Sequence, residues 1–434
     1  MPLRQSNAAR PAPTFTAMDL VGKLRFHYDM KVRPRINPDL RRLNALAQRP
    51  LPFEPMDART HLQLGLQWMW DAHLAVDRQG LPTKFSIGPQ YGVGVPYPET
   101  TGYTLNTFLA ALPQAKELGL DEERLHALIG NCTRFLLGEQ LPNGAFTGGH
   151  RNLRNYGKPS IFNTGQILLG LSAVLEHCAT HTPPAAWQLD VERLRAAVHG
   201  AGDFLADQVT AAGPYDPAHS FRNKVRTYYS RATYGLMRAG QVTGNGRMLA
   251  AARRHFDWVA DQQRPDGWIE HWGFDEDLAV LHTIAYTLRG LVEAGHGLGD
   301  ARYFAVVRRA LDRLATFDRA HFAYPDLIPS HFRADGSFLN ELCITGMSQL
   351  SLAILKLPEE HRGEAHTAWA GRLIQATKHF QLRGFREPLM NGVMPASFPL
   401  RGTYQPGDLI EWGTKFFLDT MLVELGVPHR AITG

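Results

Sequence analysis

The sequence is poor in cysteine. It holds three, Cys132, Cys178 and Cys343, widely spaced and with no CxxC pair. That pattern excludes a disulfide framework and a zinc knuckle, and leaves each thiol as a small core residue. Long apolar runs are missing as well. None approaches the roughly 20 residues needed to span a bilayer, so no membrane span is expected. The first residues, MPLRQSNAARPAPTFTAMDL, lack the apolar centre and small-residue cleavage site of a secretory signal, which points to the cytoplasm. No HExxH motif, paired Asp/Asn loop, Walker A motif or dinucleotide-binding glycine fingerprint occurs, so neither a metal nor a cofactor is expected.

Charge of one sign is in modest excess. The formal net charge is +5, with basic residues gathered in KVRPRINPDLRRLNALAQR and SFRNKVRTYYSRATYGLMR. A helix-turn-helix, an RRM and a zinc finger are all absent. The cationic stretches therefore suit a solvated face or an anionic small ligand or glycan, and nucleic acid is not expected.

Helical periodicity is plentiful after residue 57, and alternating β-branched runs are few. The helical segments are of two kinds, in strict alternation. Six are amphipathic: 58–76, 121–140, 190–209, 246–263, 300–317 and 363–380. The other six are apolar or small on nearly every face: 101–119, 161–178, 225–240, 278–295, 340–357 and 409–426. A helix apolar all round must be buried, whereas an amphipathic one lies at the surface. Six outer and six inner helices in alternation predict an all-α (α/α)6 toroid of six helical hairpins over residues 57–434, preceded by an N-terminal extension, 1–56. An open solenoid would alternate helices too, but at a tighter and more regular period.

In such a ring the outer-to-inner links emerge at one end, beside the N-termini of the inner helices. Here those links are the long ones, rich in glycine and aromatics, while the inner-to-outer turns are short. Function is expected on that face. Its candidates are Tyr97, Glu99 and Tyr103 from the first inner helix and Asn163 and Gln166 from the second. Arg222, Arg226 and Tyr228 come from the third, and Glu270, Trp272 and His282 from the fourth with its approach loop. Glu341 comes from the fifth, and Tyr404, Glu411, Trp412 and Lys415 from the sixth. Aromatic faces stack on pyranose rings, carboxylates and amides bond hydroxyls, and acids, tyrosine and histidine move protons. An oligosaccharide or polysaccharide, including an anionic one, is the expected partner. Glu99, Glu270, Tyr103, His282 and Glu341 are the expected catalytic groups, and the remaining residues are expected to hold the sugar. Two opposed carboxylates suit glycoside hydrolysis. A carboxylate with tyrosine or histidine suits removal of the C5 proton of a uronate, with Arg222 and Arg226 neutralising its carboxylate.

The stretches YPETTGY, FNTGQILLGL, LHTIAYTLRGL and EWGTKFFLDTML resemble those of bacterial α/α-toroid proteins associated with polysaccharide biosynthesis. That group is similar to six-hairpin glycosidases and to the toroid domain of glucuronyl C5-epimerases. The resemblance implies a role on exopolysaccharide or another cell-surface glycan without naming the reaction. The group's pattern implies an aspartate where this chain has Asn163, and an Asp-Gly-Gly turn where it has DRQGLPTKF. A non-catalytic toroid that binds a glycan or a protein would carry the same aromatic lining without opposed acids. QQRPDGWIEHW also resembles the Gln-Trp repeat of terpenoid cyclases, but FDEDLA lacks the acidic spacing that such cyclisation wants.

Overall fold

The computed structural model describes residues 20–150, 153 and 155–434. Twelve helices follow the predicted alternation. The outer ones are Ala58–Ala75, Glu122–Gly138, Val191–Gln208, Gly246–Asp261, Arg302–Ala315 and Glu359–Lys378. The inner ones are Pro98–Ala111, Ile161–Thr180, Ser230–Thr243, Leu281–Leu298, Ile344–Lys356 and Glu411–Glu424. Each inner helix packs against the next, and the sixth packs back on the first, so the ring is closed. The (α/α)6 toroid is the observed fold.

Small residues set the spacing of the inner ring. A methyl group added at Gly170 would collide with the carbonyl of Gly102, and one at Gly235 with the carbonyl of Gly165. The first three inner helices therefore pack backbone to backbone through these glycines, which is why they read as small on most faces. The short inner-to-outer turns carry helix stops and starts. Gly244, with φ +69°, ends the third inner helix, and the Asn245 side chain caps the fourth outer one. Asp57, Asp121 and Asp190 cap the first three outer helices in the same way.

A repeat of three glutamines joins the outer layer. Gln140, Gln263 and Gln381 each follow an outer helix, and each amide donates to a glycine carbonyl of its own turn. The same amides also reach carbonyls of the next outer helix around the ring, at Ala197, Val306 and His61.

At the mouth, the links into the inner helices pair as short antiparallel strands. Lys84–Ser86 lies between Gly92–Val93 and Asp408–Ile410, joining the sixth link to the first. Ala279–Val280 pairs with His331–Phe332, and Leu342–Cys343 with Ser397–Phe398. The opposite end of the barrel is filled. There Glu293 accepts from Arg289 at 2.7 Å and from Lys356 at 2.5 Å, Arg289 also bonds the Ile432 carbonyl, and Thr433 bonds Asn106 at 2.6 Å. Side chains and the C-terminal residues thus close that end of the barrel.

Of the residues before the ring, Leu40, Leu43 and Phe53 are buried against it, and Asp39 accepts from the backbone of Arg386 and Glu387. Among the described residues, no helix is long and apolar enough to cross a membrane.

Candidate active site

The first inner helix starts at Pro98, three residues before the predicted start. Proline suits the first helical position, because its missing N–H would be unpaired there anyway. This places Glu99 in the first turn instead of on an approach loop. The Tyr97 hydroxyl donates to Glu99 Oε2 at 2.5 Å. Glu99 is deep-set but keeps a partly accessible surface, as expected of a group at the base of a funnel. Burial raises its carboxyl to about 7, against a smaller lowering by the Tyr97 bond. Burial raises the phenols of Tyr103, Tyr228, Tyr286 and Tyr404, and the charge of Glu99 adds to the rise of each, so all four lie within its electrostatic reach.

A second carboxyl shares this neighbourhood. Glu411 opens the sixth inner helix and is fully buried; its Oε1 accepts from Thr104 at 2.7 Å, while Oε2 has no protein partner. Burial lifts it to about 7, with Glu99 adding to the rise. A neighbouring carboxylate disfavours the charged form, so Glu411 is the harder to ionise while Glu99 is charged.

His282 faces the same aromatic group. Its ring lies 4.3 Å from that of Tyr286 and 5.4 Å from that of Tyr404, with Nδ1 held 2.7 Å from Gln349 Oε1. Burial lowers it to about 4, so the imidazole is neutral at pH 7. Tyr404 accepts from Trp412 Nε1 at 2.8 Å, and both are buried. Glu341 supports this wall from behind, accepting from the Thr403 backbone at 2.7 Å and from its hydroxyl at 3.3 Å. Asn163 donates to the Thr147 carbonyl at 3.1 Å and also bonds Tyr97. Gln166 is fully buried, and neither of its amide atoms has a protein partner.

The remaining candidates lie elsewhere. Glu270 is ion-paired with Arg264 in its own loop, both side chains partly exposed. Trp272 is buried edge-on against Trp268, ring centres 4.7 Å apart, so it offers no open face. Arg222 pairs with Asp275 at 2.6 Å, and Arg226 with Glu276 at 2.9 Å and the Phe274 carbonyl at 2.9 Å, so both guanidinium groups are already engaged. Lys415 turns into the barrel and pairs with Asp419 at 2.6 Å.

Two central residues escape sequence reasoning. Tyr286 is one helical turn below His282, and the i, i+4 rule would have found it had the face been followed inward. Arg231 is fully buried over the rings of Tyr234 and Tyr286, at 5.8 and 5.7 Å, and none of its three guanidinium nitrogens has a hydrogen-bond partner. A groove of about 470 Å³ lies between the first two outer helices, and within it Arg124 donates to Gln67 at 2.7 Å.

No protein-family model matches the chain, and no curated protein does so either. Solved structures do match. An unsaturated glucuronyl hydrolase specific for heparin aligns at a TM-score of 0.62 and 12% identity, over 85% of this chain and 97% of its own. A sugar epimerase from a ruminal bacterium gives 0.61 and 9%, over 85% and 98%. Cellobiose 2-epimerase from Bacillus thermoamylovorans gives 0.60 and 10%, over 84% and 97%. At such identities the likeness is one of fold, and that fold is the α/α toroid.

Proposed function

We propose that the chain is a carbohydrate-active enzyme, and that Glu99 is its principal proton donor and acceptor. The observation that carries this is the Glu99 carboxyl, raised to about 7 at the base of a funnel walled by phenols and bonded by Tyr97. A carboxyl poised near neutrality holds a proton it can give and accepts one it can return. The aromatic wall of Tyr228, Tyr286, Tyr404 and Trp412 suits a sugar ring, and the closed lower end suits the terminal unit of a chain. The kinds of enzyme that share the fold, a glucuronyl hydrolase and sugar epimerases, agree with this class of substrate.

Glycoside hydrolysis is the reading we favour. Glu99 protonates the leaving oxygen, and Glu411 is the second carboxyl, a place sequence reasoning gave to Glu270. Tyr103 orders the wall, while Asn163, which bonds Tyr97, takes a hydroxyl group. Epimerisation is the second reading, favoured by one observation: the His282 ring lies 4.3 Å from Tyr286, whose phenol also feels the charge of Glu99, so a second proton carrier belongs to the same aromatic group. The motif resemblance adds that the substrate belongs to a cell-surface polysaccharide or its precursor.

The test is incubation of the protein in deuterated water with neutral and uronate-containing oligosaccharides, followed by mass spectrometry and NMR. New reducing ends without carbon-bound deuterium support hydrolysis. Deuterium at a ring carbon without cleavage supports epimerisation. Binding without any reaction removes the role of Glu99 and leaves a glycan-binding toroid.

A further inference from the structure

Outside the segment before the ring, the large apolar side chains that stand exposed are Leu74, Val93, Leu153 and Phe221. Three of these four lie in the links that enter the first, second and third inner helices, on the mouth face. Phe221 is the one aromatic among them, 47% exposed. It is held in place on three sides. Its backbone N–H donates to the Tyr229 hydroxyl at 2.7 Å. The next two residues, Arg222 and Asn223, adopt φ of 56° and 52°, a left-handed backbone that asparagine tolerates and that strains arginine. The Arg222 guanidinium lies 5.0 Å over the Phe221 ring while pairing with Asp275 of the neighbouring link. Lys224, Arg226 and His271 all converge on Glu276, so the two links are fastened together.

This fixed aromatic is continuous with the funnel. Phe221 meets Phe274 edge to face at 5.8 Å, Phe274 meets Tyr228 at 5.5 Å, and Tyr228 is among the phenols that feel the charge of Glu99. Aromatic side chains thus run from the exposed rim to the carboxyl. Backbone strain spent on holding an exposed apolar ring does nothing for the core, and such strain gathers at binding and catalytic sites.

We propose that Phe221 is the platform of an outer sugar subsite, taking the third pyranose of an oligosaccharide whose terminal unit occupies the Glu99 funnel. The exposed ring face accepts the apolar face of a pyranose, and the exposed Arg222–Asp275 pair beside it offers hydroxyls the guanidinium N–H groups and carboxylate oxygen that the pairing leaves over. An aromatic ladder flanked by charged hydrogen-bonding groups fits a sugar chain better than it fits an acyl chain. The proposal rests on the reading of the funnel as a sugar site, and it adds that the enzyme works on the ends of chains.

The experiment compares the wild type with Phe221→Ser on uronate-terminated and neutral glycans of two, three and four sugars. KM and kcat are measured for each length, with glycan binding by calorimetry alongside. Phe221→Ser is expected to raise KM about ten-fold for the longer glycans, the loss of one good stacking contact, and to leave kcat and disaccharide turnover unchanged. An equal loss at every length, or none at any length, overturns the outer subsite while the funnel reading stands. If the wild type binds and converts no glycan at all, the funnel reading itself falls, and the subsite with it.

Discussion

The hydroxyl of Tyr97 reaches Glu99 Oε2 at 2.5 Å, and the two residues are separated by a single proline. The bond favours the ionised carboxylate, so it works against the burial that lifts Glu99. For a general acid, the protonated form is the active one. Turnover is therefore expected to decline as pH rises through about 7. Tyr97→Phe deletes the donor, raises the carboxyl further and shifts that decline to higher pH. The pH dependence of kcat/KM for both proteins is the check. An alkaline limb that stays in place in Tyr97→Phe would mean that another group carries the proton.

Glu99→Gln keeps the shape of the side chain and removes its proton chemistry. Loss of a positioned acid or base costs roughly 10²–10⁴ in rate, and kcat is expected to fall by that much. Glu270→Gln removes a carboxylate that already faces Arg264, so only a change of a few-fold is expected. Initial rates of the two variants on one substrate rank the two acids. A larger loss from Glu270→Gln would return the acid–base role to the loop carboxylate.

The ring was legible because its chemistry is written into each helix separately. Burial on all sides demands a segment apolar on all sides, and an exposed back demands a polar stripe, so inner and outer helices carry different compositions. Glu99, Glu411 and His282 could be assigned to one end of the ring for a related reason: each lies in the first turn of an inner helix, and topology sends those turns to the same end. What stayed hidden was the choice of partner across loops. Nothing local says that Asp275 and Glu276 will engage Arg222 and Arg226 of the preceding link. In the glutamine repeat, Gln140 and Gln263 open matching turns, QLPNG and QRPDG, whereas Gln381 is hidden because its glycine, Gly392, lies 11 residues on, although each amide makes the same two bonds.

Glu411 links the site to stability. Its folded-state carboxyl is raised to about 7, above the ordinary value of 4.5. A raised carboxyl contributes its stability below the unfolded value and loses it as pH climbs through the folded one. The wild type thus bears a growing cost of ionising Glu411 between about pH 4.5 and 7, whereas Glu411→Gln stays neutral throughout. Glu411→Gln is therefore expected to melt higher than the wild type at pH 8, with the gap closing by pH 5. Thermal midpoints at both pH values test this. A gap that widens on acidification would mean that Glu411 is held ionised in the fold, by Lys415 or another cation.

The spacing of the inner ring predicts that one substitution, glycine to alanine, will have opposite signs at two positions. On the second inner helix, the methyl of Gly170→Ala has nowhere to go except into the carbonyl of Gly102, and backbone on a neighbouring inner helix yields less readily than a side chain. Overpacking of this kind costs about 1–3 kcal/mol. Because the first and second inner helices also carry Glu99 and Asn163, a shift between them should lower turnover as well as the melting temperature. Gly371 sits within the sixth outer helix with nothing within 4 Å of an added methyl. There alanine improves helix propensity by about 0.8–1 kcal/mol, so Gly371→Ala should raise the melting temperature and leave activity alone. If both variants were stabilised, the inner helices would have room to part, and the glycines would not be what fixes the width of the funnel.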